Sequence, residues 1–318
     1  MLSRRLLRIK ALKALYAHLK TEADSMMISE KSMMASVDKA YDLYFQMLAL
    51  PAELVRYAER RQEIARQKMM PTFEDLHPNT KFVDNAVIRT LANSDSINDY
   101  LTARKLTWAA YPELIRSIYN QLLTRDYFIA YMKNEERSFQ EDRQLVERIF
   151  TDELQECEAL DTALEEMSIL WSDDLSFILI MVMRTLSNLR ASHAEIKVLP
   201  KFKSDDDRDF VRLLFEKTLL HFNDHMRYIE KFTRNWDVER IAFMDNLILA
   251  TALTELTEFP SIPVKVTLDE FIEISKYYSS PGSSLFINGI LDKMVVSLTE
   301  EERIRKSGRG LVGHLSKE

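Results

Sequence analysis

From Met1 to Pro281 this chain contains no glycine; its five glycines are Gly282, Gly289, Gly308, Gly310 and Gly313. A glycine-rich turn that cradles phosphates against a helix N-terminus therefore cannot form anywhere before Gly282. That excludes most nucleotide-using enzymes. The chain also lacks a dinucleotide fingerprint and a Gly-x-Ser-x-Gly nucleophile elbow.

Helical periodicity dominates almost everywhere. Leu6, Ile9, Leu12, Leu15, Tyr16 and Leu19 follow steps of three and four, while Arg4, Arg5, Arg8 and Lys13 fall largely off that face. One helix thus carries both an apolar and a basic side. Further helices are predicted over Ser29–Leu50, Pro51–Met69, Lys81–Ala92, Ser96–Thr107, Pro112–Lys133, Phe139–Glu166 and Asp173–Ala194. Their breaks fall at Pro51, at the stretch holding Pro71 and Pro78, at Pro112 and near Pro200.

After a linker over Lys201–Asp207, where Ser204 or Asp205 can cap, a long helix is predicted to reach Phe232, with another over Val238–Thr257 closed by Pro260 and Pro263. Thr267 and Glu270 read as a capping box opening a helix to Tyr278. Ser279–Ser284 reads as a turn, after which Leu285–Ser297 resumes the helix. Gly289 lies inside that last helix, where it costs about 1 kcal/mol relative to alanine, so another helix or a ligand is expected to come close there. No alternating strand pattern or internal repeat competes, and the expected fold class is all-α.

A chain of 318 residues with 46% hydrophobic residues can bury one large core or two smaller ones. The single cysteine, Cys157, excludes an internal disulfide or a cysteine-based zinc site and reads as a buried helical thiol. The net charge is -7, yet Arg4, Arg5, Arg8, Lys10, Lys13 and Lys20 precede the first acid. A local basic helix on an acidic protein points to a confined anionic partner. Charges at Arg8, Lys10 and Lys13 interrupt any secretory apolar core, and the most apolar run, Leu175–Met183, is followed at once by Arg184. No membrane span is predicted, and the chain reads as cytoplasmic.

Metal and catalytic constellations are weak. His221 and His225 lie one helical turn apart, but without the glutamate of a zinc-protease motif they read as solvent-facing. Glu74 and His77 give a single E-x-x-H where a di-iron bundle needs two. No catalytic residue, metal ligand or cofactor is assigned.

The residues from Trp236 to Met294 are the most specific in the chain. Val238-Glu239-Arg240, Glu255-Leu256, Ile262-Pro263, Lys265-Val266, the acid-rich stretch Asp269–Lys276 and the closing Phe286-Ile287-Asn288-Gly289-Ile290-Leu291-Asp292 occur in order. This pattern resembles the C-terminal half of NusB transcription antitermination proteins. At the other end, Arg4, Arg5 and Arg8 precede Ala14-Leu15-Tyr16 at the spacing of that family's first helix. The resemblance covers Ser3 to about Leu19 and about Asp205 to Leu298.

What the resemblance implies is a pair of helical bundles without catalytic activity. Residues 1–20 would be the basic first helix and 204–298 the C-terminal core; 21–203 would be a helical insertion or an extension of the N-terminal bundle, and 299–318 a disordered tail. Members of the family bind the single-stranded boxA element of ribosomal RNA leaders together with ribosomal protein NusE, within the RNA polymerase antitermination complex. Carried over residue by residue, RNA contacts fall to Arg4, Arg5, Arg8, Tyr16, Lys276, Asn288 and Lys293, and a protein contact to Glu239. Tyr16 either stacks on a base or is buried, and Asn288 either meets RNA or braces the 279–284 turn. Gly282 and Leu285 stand where the family often has an acid and a lysine, which motivates a second reading: a helical scaffold in ribosome assembly that keeps the fold without boxA recognition.

Overall fold

In the computed structural model, which describes residues 1–192, 195–233 and 242–312, all regular structure in those residues is helical. In chain order the α-helices are α1 (Arg4–Lys20), α2 (Met26–Arg66), α3 (Phe73–Leu76), α4 (Ala86–Ala92) and α5 (Asp95–Arg104). Then come α6 (Pro112–Leu122), α7 (Asp126–Lys133), α8 (Phe139–Arg148), α9 (Glu158–Met167) and α10 (Leu175–Asn188). The last five are α11 (Asp205–Leu220), α12 (Phe222–Thr233), α13 (Phe243–Glu258), α14 (Val264–Tyr278) and α15 (Ser283–Glu300). Among the described residues no helix is long and apolar enough to cross a membrane.

The chain divides into two compact units, one of Met1–Leu2 and Asp38–Lys201, the other of Ser3–Val37 and the residues from Phe202 onward. Residues 21–37, read from sequence with the insertion, thus cluster with the C-terminal helices. Arg212 reaches Glu30 at 2.5 Å and His18 Nδ1 lies 2.8 Å from Ser29 Oγ, which ties the start of α2 to α11 and α1.

In the first unit the core gathers around the second half of α2. Phe45 and Tyr100 stack with ring centroids 3.8 Å apart, and the indole nitrogens of Trp108 and Trp171 donate to the carbonyls of Gln46 and Lys39 at 2.9 and 2.6 Å. Asp42, fully buried, accepts two hydrogen bonds from Arg104 and one from Tyr100, all at 2.8 Å. Burial pushes this carboxyl up, but those donors and Lys39 outweigh it and hold its pKa below the usual carboxylate value.

Several expected breaks move. Pro51 does not end a helix: α2 runs through it, with Leu50, Ala52 and Leu54 buried on either side. An interior proline costs about 3 kcal/mol, and apolar burial along this face outweighs that cost. The expected Pro112–Lys133 helix is two helices with a turn at 123–125, and α8 passes into a six-residue π-helical turn at Ile149–Leu154. Within that turn Glu153 points inward, where Arg125 meets it at 2.7 and 2.8 Å. Cys157 is half-buried and stands at the N-cap of α9, not within a helix.

The second unit packs α1 against α11, α13 and α14, with α12 and α15 completing the layer around α13. The helix expected to continue from Asp205 to Phe232 turns at His221, separating α11 from α12. The described part of the tail is also ordered, against the expected disorder from 299. Lys306 Nζ donates to the carbonyls of Phe259 and Glu255 at 3.0 and 3.4 Å, and Ser307 N donates to Pro260 O at 3.0 Å. These bonds satisfy carbonyls at the C-terminal end of α13 that the helix itself cannot pair. Burial pulls the Lys306 amine down to about 8. Gly310 follows the same path so closely that a Cβ there would overlap the Pro260 carbonyl oxygen.

Candidate functional site

Helix α1 starts at Ser3, whose Oγ accepts from Leu6 N at 3.2 Å. Its three arginines all turn toward carboxylates. Arg4 Nε meets Asp207 Oδ1 of α11 at 2.8 Å, Arg5 forks onto Glu270 of α14 at 2.8 and 3.0 Å, and Arg8 forks onto Glu255 of α13 at 2.7 and 2.8 Å. Phe210 lies under the guanidinium groups of Arg4 and Arg8, at 5.0 and 5.3 Å from its ring centre. Thr267 Oγ1 donates to Glu255 Oε1 at 2.8 Å, so the buried carboxylate is saturated from two sides.

This arrangement corrects two expectations. Arg8 is only 2% exposed and cannot meet a phosphate while it holds Glu255. Its function here is to join α1 to the bundle through a charge-assisted, two-pronged bond that an isolated buried charge would need for compensation. Thr267 and Glu270 do not form a capping box: α14 begins at Val264 after Pro263, and the two side chains serve Glu255 and Arg5 instead. The Pro263 ring, with its fixed φ near -61°, already sets the helix entry.

The outer side of α1 is different. Tyr16 is 39% exposed and leans edge-on against Phe243, with ring centroids 5.6 Å apart. Lys20 Nζ sits 4.3 Å over the same Phe243 ring, and Lys13 Nζ 5.4 Å over Tyr278. Tyr16 is therefore neither buried nor isolated: it shares the Phe243 ring with Lys20. Lys276 is exposed and pairs with Glu273 at 2.7 Å, and Lys293 is exposed on α15.

The turn before α15 is braced from below by Asp245, a buried carboxylate near the start of α13. Ser279 Oγ donates to its Oδ1 and Ser283 Oγ to its Oδ2, the latter at 3.0 Å, while Ser280 and Ser283 hydroxyls lie 2.7 Å apart. Gly282 takes φ 90°, the left-handed conformation that a side chain would strain. No other helix of the described residues comes close at Gly289, which is exposed and where a Cβ would meet nothing within 4 Å; of the two expected neighbours, a packed helix is ruled out there. Asn288 is half-buried beside it. Glu239, with Val238 and Arg240, lies outside the described residues.

His225 also departs from its expected solvent exposure. It is buried, its Nδ1 3.4 Å from Thr254 Oγ1, and burial first, then the charges of His221 and Arg303, hold its pKa down to about 4. Among the described residues no three histidine, cysteine or carboxylate side chains are grouped as a metal site.

Sequence reasoning missed that Asp207, Glu255 and Glu270 pair with the arginines of α1, and missed the brace Asp245 and the platform ring Phe243. One signal was available: Glu255 falls three residues after Ala252 and seven after Ile248, inside the apolar stripe of α13, where a lone carboxylate requires a buried partner.

The NusB family model matches residues 181–296, which run from within α10 to within α15 and leave α1 outside the match. A transcription antitermination protein NusB of Salinibacter ruber is 42% identical over 124 residues, which cover 39% of this chain and 77% of that relative. The chain belongs to the NusB family. Two other NusB proteins, of Chloroherpeton thalassium and Thermodesulfovibrio yellowstonii, are 35% and 36% identical over 105 and 92 residues. The chain spans 50% and 61% of those two relatives, respectively. No solved structure matches. This NusB family member thus carries the matched helices together with a long stretch, most of the first unit, for which the family match gives no counterpart.

Proposed function

We propose that this NusB family member is a transcription antitermination factor that binds single-stranded boxA RNA of ribosomal leaders through the outer face of α1, acting without catalysis. It does so in the cytoplasm together with ribosomal protein NusE, as part of the RNA polymerase antitermination complex. The observation that carries the reading is the row Lys13, Tyr16 and Lys20 at helical spacing on α1, where the exposed Tyr16 and Lys20 meet on Phe243 and Lys13 lies over Tyr278. Cations of that kind neutralise phosphates, and an open aromatic face stacks on an unpaired base. Arg4 and Arg5 border this row and keep the α1 face in register with α11 and α14. Lys276, Lys293 and Asn288 extend the surface, and the exposed backbone at Gly289 permits close approach. Glu239 remains the proposed protein contact.

The test is binding of the full chain to boxA RNA and to a scrambled control, with and without NusE. Selective binding strengthened by NusE is expected, and Lys13→Glu with Lys20→Glu should abolish it while leaving the circular dichroism spectrum unchanged. Equal binding to both RNAs, or none, refutes boxA recognition. The neutralised state of Arg4, Arg5 and Arg8 favours a second reading in that event, a scaffold in ribosome assembly that retains protein partners alone.

A further inference from the structure

The densest run of exposed apolar side chains along the described chain is Ile64, Met69, Met70, Phe73 and Leu76, at the end of α2 and in α3. Met69 is 101% exposed, Met70 88% and Phe73 77%. This is not a loose loop. Thr72 and Asp75 form a reciprocal capping box at 3.1 and 3.0 Å, and Lys68 Nζ holds Asp75 at 2.9 Å. Beyond it, Gln62 donates to Asn79 O at 3.2 Å, and Asn79 donates to Met132 O at 2.6 Å. The chain is thus fastened in a conformation that presents its apolar side chains to water, a cost that calls for an occupant.

The charges around the patch specify which one. Across residues 38–201 acids exceed bases by seven, so the net charge of -7 lies there. Residues 59–75 are balanced, with Arg60, Arg61, Arg66 and Lys68 against Glu59, Glu63, Glu74 and Asp75. Glu59, Arg60, Arg61 and Glu74 make no ion pair among the described residues; Arg61 reaches only Asn120 at 3.0 Å and the Tyr119 ring. Interleaved acids oppose a polyanion. A surface with equal unpaired charges of both signs around an apolar centre is self-complementary, which is what a two-fold contact between identical chains requires.

We infer that residues 59–76 form a two-fold contact with a second copy of this chain. The apolar side chains meet at the centre, and Arg60 and Arg61 of each copy face Glu59 and Glu74 of the other. Five side chains this exposed supply several hundred Å², on the order of the roughly 800 Å² per partner of a specific interface once the rim is added. The inference is independent of the RNA-binding reading, since none of these residues belongs to that face.

Sedimentation equilibrium of the full chain, from micromolar to several hundred micromolar, tests it. The mass is expected to rise from the 37.3 kDa of one chain to twice that value and no further. Met69→Glu with Phe73→Glu should hold it at one chain with unchanged helicity, because both side chains lie outside the core. Arg60→Glu with Arg61→Glu should weaken association about tenfold, and mixing that variant with Glu59→Arg, Glu74→Arg should restore it. A mass of 37.3 kDa throughout, association indifferent to Met69→Glu with Phe73→Glu, or growth beyond two chains each overturns the proposal.

Discussion

Each unit holds a fully buried carboxylate that a two-pronged arginine meets, Glu255 in one and Asp42 in the other, yet these two clasps are built differently. Arg8, the partner of Glu255, has a side chain 3% exposed; Arg104, the partner of Asp42, is 41% exposed. The first pair joins residues 247 apart in sequence, the second residues 62 apart. Water can reach the second arginine and take over part of its task, whereas nothing replaces Arg8. The family unit is therefore closed by a sealed seam that links the first helix to the last ones, and the other unit by a clasp that is local and open to solvent.

The largest test of that contrast is Arg8→Ala, which leaves Glu255 buried without its arginine and should cost about 3–5 kcal/mol in chemical denaturation. Replacing both partners, Arg8→Met with Glu255→Leu, should recover most of the loss. If Arg104→Ala costs as much as Arg8→Ala, the contrast fails.

The second test is titration. His225, in the family unit, binds its proton only near pH 4 when folded but near 6.5 when unfolded. The unfolded chain therefore holds more protons in that window, and stability should fall as pH drops from 6.5 and level off below 4, by up to about 3 kcal/mol. Asp42 has the depressed pKa of a paired acid, so its contribution is complete above the ordinary carboxylate value and is lost only as pH falls below 3.8. Hydrogen exchange followed between pH 6.5 and 4 should show protection fading in α12 and α13 while α5 and the second half of α2 hold, and His225→Gln should remove the difference.

Smaller effects sharpen the picture. Arg104→Ala should cost about 1–2 kcal/mol in thermal unfolding, because Tyr100 and Lys39 still reach Asp42. Gly289→Ala should stabilise the family unit by up to about 1 kcal/mol, since the site is helical and open. Weaker RNA or NusE binding by the same variant would reveal the outside neighbour that the bare glycine awaits.

Helix-forming segments and the all-α class were legible because period and proline carry them. Pro51 misled because local preference was weighed without the buried faces of Leu50, Ala52 and Leu54. The capping box misled in the same way: Thr267 and Glu270 have the right spacing for a local bond, but long-range partners, Arg5 and Glu255, offer charge-assisted ones. The basic cluster was read as open to anions because the sequence shows charges without showing the acids that approach from residues 207, 255 and 270. His225 and Lys306 were invisible for the opposite reason, since nothing in their neighbours along the chain announces burial.

Arg4, Arg5 and Arg8 already carry the protein's own carboxylates as counterions. RNA bound across this face as proposed would therefore draw its net charge neutralisation from lysines that hold no carboxylate among the described residues, Lys20 and Lys293. With roughly 0.7 per phosphate for a single strand, the logarithm of its affinity should fall against the logarithm of salt with a slope of about -1.4. A slope twice as steep would require the arginines to release Asp207 and Glu270, so a simple salt titration reports whether the seam of the fold opens when RNA arrives.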